Sequence, residues 1–208
     1  LSDADLRAIR NFDNIAKITT ARNARKKILK GIKPVSAILV SASLDFLGDT
    51  RSDVSEGRWL NKFDNANKMP VCVIGKNVKK NLFKLGSESV INEIVRIENF
   101  VFKIVGVIEN NFGTQLPEIN SPNDMIIIPE NVSAAFFGNN AYSSINRRQF
   151  IIEHIAYDLL IAKVSDTSYI DDTAKRIRNY MDKSHNTKED WGMLVPYDLL
   201  KQREKTQN

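Results

Sequence analysis

The chain of 208 residues holds one cysteine, Cys72, and two histidines, His154 and His185. One thiol excludes an internal disulfide and a thiolate metal cage. Cys72 lies inside the apolar run Val71–Ile74, where it reads as a small buried side chain. The histidines are far apart and show no HExxH or other ligand spacing, so each reads as a surface or interface residue.

Glycine is also sparse, with nine in the chain, and this bears on PVCVIGKNVKK at 70–80. A glycine turn opening a basic helix can hold a phosphate. A phosphate-binding loop needs GxxxxGK[ST], and a dinucleotide site needs GxGxxG. Gly75 has no second glycine at either spacing, so the turn reads as structural. No GxSxG nucleophile elbow occurs. Aromatic residues make up 8% and are not interleaved with basic ones, which argues against stacking on nucleic acid. No apolar run approaches the ~20 residues that span a bilayer. The longest, FVFKIVGVI, is broken by Lys103. No secretory leader is visible, and a chain beginning at Leu1 reads as a piece of a longer protein.

What is present describes an ordinary folded protein: 42% hydrophobic residues, 26% charged, net charge +5 and a pI near 9.2. Its length suffices to bury a core without metal or disulfide staples. The cluster Arg22, Arg25, Lys26 and Lys27 reads as a solvated strand edge, because cations there block unwanted pairing.

LSDADLRAIRNF predicts a helix, with Ser2 as N-cap and Asp5 completing a capping box. IAKITTA and the stretch KKILKGIKPVSAILVSAS predict strands, punctuated by Gly31 and Pro34. LDFLGD reads as a short helix or turn stopped by Gly48. VCVIG predicts a strand and NVKKNLF a helix with Val78, Leu82 and Phe83 on one side. VINEIVRI and FVFKIVGVIE predict two strands joined at Glu98-Asn99. The long polar stretch NNFGTQLPEINSPND reads as a loop. Loops of this length are often functional. Its Phe112 is either a partner-binding anchor or a plug that folds back.

MIIIPENVSAAFFG predicts a strand, then Pro129 at a helix start and Gly138 as its stop. GNNAYSSINRRQ reads as an exposed linker. YDLLIAKV, the helix DTSYIDDTAKRIRNYMDK capped by Ser168, and WGMLVPYDLL predict a closing βαβ unit. Asp171 and Asp172 resemble a catalytic pair, but their first-turn position is explained by the helix dipole. Ile170, Ala174, Ile177 and Met181 recur on one helical face. Asn131-Val132-Ser133 matches a glycosylation triplet, yet falls in an expected helix. Terminal pieces of αβ character around a different centre suggest one module interrupted by another.

The ordered signals resemble the extracytoplasmic core domain of MacB-type ABC transporter permeases, of the wider FtsX-like family. The resemblance covers nearly the whole chain. It rests on SEGRWLN at 55–61, VCVIGKNVKKNLF at 71–83, FKIVGVIE at 102–109, MIIIPENVSAAFFG at 125–138, and the closing YDLLIAKV and HNTKEDWGMLVPYDLL segments. Gly57, Arg58, Gly75, Leu82, Phe83, Gly106 and Pro129 match its structural signature. Where the family has a glycine opening the strand after LF, this chain has Asn92, which tolerates left-handed backbone.

The resemblance implies an α+β fold of two subdomains. A Porter-like module over 1–54 and 150–208 would be interrupted by a Sabre-like module over 55–149. It implies a non-catalytic domain on the periplasmic face of the cell membrane, in a parent permease dimer driven by a cytoplasmic ATPase. The domain would need no cofactor and would pass ATPase-driven movement to a periplasmic adaptor or other envelope protein. The residues alone leave a second reading open: a stand-alone α/β hydrolytic enzyme with a cleft between modules.

Overall fold

The computed structural model describes residues 1–31, 33–83, 89–111, 121–137, 140–146, 149–154, 157–185, 191–193 and 195. The chain opens on α1 (Asp3–Arg10), whose capping box is formed: Ser2 N–H donates to Asp5 Oδ2 at 2.8 Å and Asp5 N–H to Ser2 Oγ at 3.2 Å. Then come β1 (Ile15–Lys30) and β2 (Lys33–Ala42), a long hairpin turning at Gly31, whose φ is 60°. Short elements follow: α2 (Phe46–Asp49), β3 (Asp53–Gly57) and α3 (Lys62–Ala66). The centre holds β4 (Val71–Gly75), α4 (Lys76–Leu82), β5 (Ile94–Ile97) and β6 (Phe100–Glu109). The remainder is β7 (Met125–Pro129), α5 (Glu130–Phe137), β8 (Asn140–Asn146), β9 (Gln149–His154), β10 (Leu159–Val164) and α6 (Ile170–Ser184). This is an α+β fold.

Two compact units emerge, Thr19–Leu159 and the pair Leu1–Ile18 with Leu160–Asn208. In the larger unit the strands run β1-β2-β7-β4-β6-β3. β2 pairs with β7 in parallel and β4 with β6 in parallel, while β4 and β7 are antiparallel. β5 pairs with both β6 and β1, so the strand path returns to its start. β4 and β7 are buried at every position, as central strands covered on both faces must be.

One sheet face carries Cys72, Ile74, Val95, Ile97, Phe102, Ile104 and Ile126 against Val78 and Leu82 of α4 and Val132 of α5. Phe136 stacks on Phe100 with ring centroids 4.7 Å apart. The other face packs Val40, Val71, Val73, Val105 and Ile127 beneath Phe46 of α2, Leu60 and Trp59. Each isoleucine fully withdrawn from water contributes roughly 1.5–3 kcal/mol. A separate two-stranded sheet joins β8 and β9.

In the smaller unit β10 is a sheet neighbour of β1, and Ser165 N–H donates to Asn14 O at 2.9 Å. The Arg176 guanidinium lies over the Phe12 ring at 4.7 Å. Met181 of α6 is buried, and Ile170, Ala174 and Ile177 of the same face are half-buried.

Several local expectations are corrected. GNNAYSSINRRQ contributes β8 and the first residue of β9 rather than a linker; its Asn- and Ser-rich pattern lacks the apolar alternation that marks a strand. Ser168 does not cap α6 but sits inside a 3-10 turn, Thr167–Tyr169, whose cap Asp166 accepts Ser168 N–H at 2.8 Å; α6 follows with Tyr169 at its N-cap and no side-chain cap. Gly48 lies within α2, and the chain turns after it at Arg51, with φ 52°. Pro129 closes β7 and α5 begins at Glu130. Residues 90–93 form a turn before β5 rather than more strand. The closing strand expected over 191–200 falls largely outside the described residues, and those described there have no regular structure.

Candidate functional site

The glycine turn at Gly75 is shaped by packing. A Cβ at Gly75 would collide with the backbone of Pro122 and Asn123, which press on the turn. The two lysines that would greet a phosphate are engaged by carboxylates: Lys76 pairs with Glu109 and Lys79 with Glu56. Asn77 Nδ2 donates to Asp124 Oδ1 at 2.8 Å, adding a further acid beside the helix start. An anion approaching α4 would meet lysines already neutralised by carboxylates. The lysines therefore tie α4 to the ends of β3 and β6. The helix seats Val78, Leu82 and Phe83 in the core, and Lys30 Nζ sits 3.6 Å from the Phe83 ring centroid.

A second knot joins Gly57, Arg58 and Gly106. Gly57 pairs with Gly106 across β3 and β6 and has φ 70°, a region open to glycine at little cost. A Cβ on Gly57 would strike the Val105 carbonyl oxygen, and one on Gly106 the Arg58 carbonyl oxygen. Arg58 N–H donates to Val105 O at 2.9 Å, so the chain crosses β6 in backbone contact.

The Arg58 side chain then grips Asp64 in a fork, Nη1 to Oδ2 at 2.6 Å and Nη2 to Oδ1 at 3.0 Å. Asp64 also closes the capping box of α3 by accepting Asn61 N–H at 3.0 Å. Burial pushes the Asp64 carboxyl up, but the hydrogen bonds from Arg58 and Asn61 outweigh it and hold the group below its ordinary value. Arg58 is raised in turn, chiefly by the hydrogen bond to Asp64.

A third arrangement brackets the segment between β6 and β7. Asn110 N–H donates to Asn123 Oδ1 at 2.9 Å, and Asn123 Nδ2 returns a bond to Asn110 O at 2.8 Å. Asn110 Nδ2 reaches Thr50 O at 2.7 Å. The two ends of the segment between β6 and β7 are thereby clamped together and anchored behind α2. Phe112 lies outside the described residues. The sequence offered no direct pointer to this clamp, because its members are separated by the loop they close. Only the Asn-rich flanks of the loop hinted at side chains able to satisfy backbone groups.

Asn92 has φ 70°, a left-handed conformation. His185 Nε2 lies 3.2 Å from Asp5 Oδ2, and Tyr180 OH donates to Asp5 Oδ1 at 3.3 Å. His154 belongs to β9. Cys72 is fully enclosed, and desolvation pushes its thiol far above the usual range, which makes it inert. Among the described residues no three His, Cys, Asp or Glu side chains gather as a metal site, and no helix is long and apolar enough to cross a membrane.

Comparison with known proteins places these features in a family. The model of the MacB-like periplasmic core domain matches residues 1–180. The pyoverdine export ATP-binding/permease protein PvdT of Pseudomonas syringae pv. syringae is 28% identical over 155 residues, covering 74% of this chain and 21% of that protein. The macrolide export ATP-binding/permease protein MacB of Rhodospirillum rubrum is 28% identical over 152 residues, covering 73% and 21%. The chain thus spans about a fifth of the length of these relatives.

Among solved structures, the periplasmic region of MacB from Actinobacillus actinomycetemcomitans superposes with a TM-score of 0.69 at 17% identity, covering 99% of this chain and 83% of that one. The extracellular domain of the noncanonic ABC-type transporter YknZ from Gram-positive bacteria gives 0.69 at 15% identity, covering 94% and 89%. At these identities the likeness speaks to fold.

Proposed function

The chain belongs to the MacB-like periplasmic core domain family, an extracytoplasmic and non-catalytic part of ABC transporter permeases, and from that membership we propose that it works as a mechanical transmitter. In this reading ATP hydrolysis by a cytoplasmic ATPase moves the parent permease, and the domain carries that movement to a periplasmic adaptor or other envelope protein. Transport follows from a two-state motion imposed on a stiff body. The observation that carries the reading is the family match over residues 1–180. Backbone contact at Gly57 and Gly106, the Arg58–Asp64 fork and the fully buried β4 and β7 support it, since a transmitter must not yield internally. The subdomain division, Porter-like over 1–54 with 150–208 and Sabre-like over 55–149, is proposed with it, as is the pairing of two permeases in the parent.

The test is made in the full-length parent. Replacing this domain by a flexible linker is expected to abolish ATP-dependent export while basal ATP hydrolysis persists. Export that survives the replacement would overturn transmission. Robust hydrolase turnover by the 208-residue chain, lost on a single carboxylate substitution, would overturn it in favour of an enzyme.

A further inference from the structure

We propose that the outward face of the β5–β6 hairpin is a docking surface for an acidic segment of a partner protein that also carries aliphatic side chains. The surface arises because the layer of α2, Leu60 and Trp59 covers only part of the second sheet face. Beyond that cover the hairpin presents Ile94 57% exposed and Val101 53% exposed. Inward-pointing Val95, Ile97 and Phe102 are meanwhile fully buried.

Cross-strand pairing sets each aliphatic residue opposite a cation: Ile94 faces Lys103, and Arg96 faces Val101. Neither Arg96 nor Lys103 has a carboxylate partner among the described residues. Lys103 N–H donates to Pro70 O at 2.9 Å, and Val71 pairs with Lys103 in parallel. Met69, 38% exposed, lies just before β4.

The occupant is argued from charge and shape. Paired residues stand roughly 5 Å apart across the hairpin, a spacing matched by a chain alternating carboxylate and aliphatic side chains. β5 pairs with β6 along its length and with β1 at Arg96 and Ile97, so little strand edge is free and recognition runs chiefly through side chains rather than strand addition. A bilayer surface is disfavoured because the patch has no Trp or Tyr of the kind that seats at a lipid interface. A single-stranded nucleic acid is disfavoured by the lack of a stacking ring. The area is small, so the contact is of the weak, transient class.

The experiment uses the 208-residue chain and short fluorescent peptides of alternating Glu and Leu, with Gln/Leu and Lys/Leu peptides and phosphatidylglycerol vesicles as alternatives. The Glu/Leu peptide is expected to bind and to weaken with added salt, because the pairing is exposed to solvent. Arg96→Glu with Lys103→Glu, and separately Ile94→Ser with Val101→Ser, should each reduce binding about tenfold or more while the melting temperature holds.

Equal binding of the Gln/Leu peptide, capture by vesicles in place of peptide, unchanged binding by both variants, or self-association abolished by those variants would each overturn the proposal. Peptide binding tests this surface; the domain-replacement export assay tests transmission. Failure of one leaves the other standing.

Discussion

Asn123 holds the main chain of Asn110, not its side chain. Its amide oxygen accepts Asn110 N–H at 2.9 Å and its amide nitrogen donates to Asn110 O at 2.8 Å, while the Asn110 side chain turns the other way to Thr50 O at 2.7 Å. The two asparagines therefore perform separate tasks where the segment between β6 and β7 begins and ends. Asn123→Ala strands a buried N–H and its carbonyl and should cost about 2 kcal/mol, since an unpaired buried polar group costs roughly 1–3. Asn110→Ala loses the anchor to Thr50 and should cost about 1 kcal/mol. Because the two residues are bonded neighbours in one network, the double variant should depart from additivity by about 0.5 kcal/mol or more. Urea unfolding of the three variants measures this, and strict additivity would show that the two anchors act independently.

The glycines supply a comparison with a built-in control. Gly106 has an ordinary backbone conformation, yet a Cβ there meets the Arg58 carbonyl oxygen. Gly31 has φ 60° but open space around it. Gly31→Ala should therefore cost about 1–2 kcal/mol from the left-handed backbone alone. Gly106→Ala should cost more, about 3 kcal/mol or above, because backbone must separate from backbone. Gly57→Ala combines both penalties and should be the worst of the three. Thermal melts rank them, and a Gly106→Ala variant milder than Gly31→Ala would mean the β3–β6 crossing is loose.

Much of this was legible in local pattern. The capping box of Ser2 and Asp5, the buried Cys72, the apolar strands at 71–75 and 125–129 and the left-handed Asn92 all depend on residues a few positions apart or on a single side chain's preference. The Arg58–Asp64 fork could have been suspected, since Asn61 and Asp64 already spell a capping box and Arg58 stands one turn before it. The clamp at 110 and 123, and the pairing of Lys76 and Lys79 with Glu109 and Glu56, were not legible. They depend on which strands lie side by side, and that is decided by tertiary packing. β8 escaped for another reason: a strand rich in Asn and Ser leaves no hydrophobic rhythm.

Acid should loosen the larger unit through Asp64. Its pKa lies below the ordinary 3.8 in the folded chain, where burial pushes it up and the bonds from Arg58 and Asn61 pull it further down. A depressed carboxylate stabilises the fold above its unfolded pKa, and that stability is lost as pH falls through the folded value. The loss therefore sets in below about pH 4. Arg58 is 47% exposed, so solvent screening keeps the contribution small. Asp64→Asn should lower stability at neutral pH by about 1–2 kcal/mol and flatten the acid limb of the curve. Denaturant midpoints from neutral pH down to about pH 3 test both, and an acid limb unchanged by the substitution would assign it to other carboxylates.

Phe112 follows the clamp by two positions, and its role divides cleanly by measurement. A partner anchor contributes to recognition when bound and little to the free fold; a core plug contributes to the fold itself. As an anchor, Phe112→Ala should weaken export by the full-length permease, and binding of the proposed periplasmic partner, by about tenfold, the usual scale for truncating an aromatic hot spot. The melting temperature of the 208-residue chain should then stay within about 2 °C of the parent value. As a plug, the same change should remove about 3–5 kcal/mol, as truncation of a buried phenylalanine does, and lower the melt sharply. Asn123→Ala provides the cross-check: if the clamp presents Phe112, loosening the loop base should weaken partner binding even in variants that remain folded. Full export from Asn123→Ala combined with a lost signal from Phe112→Ala would show that the anchor acts without the clamp.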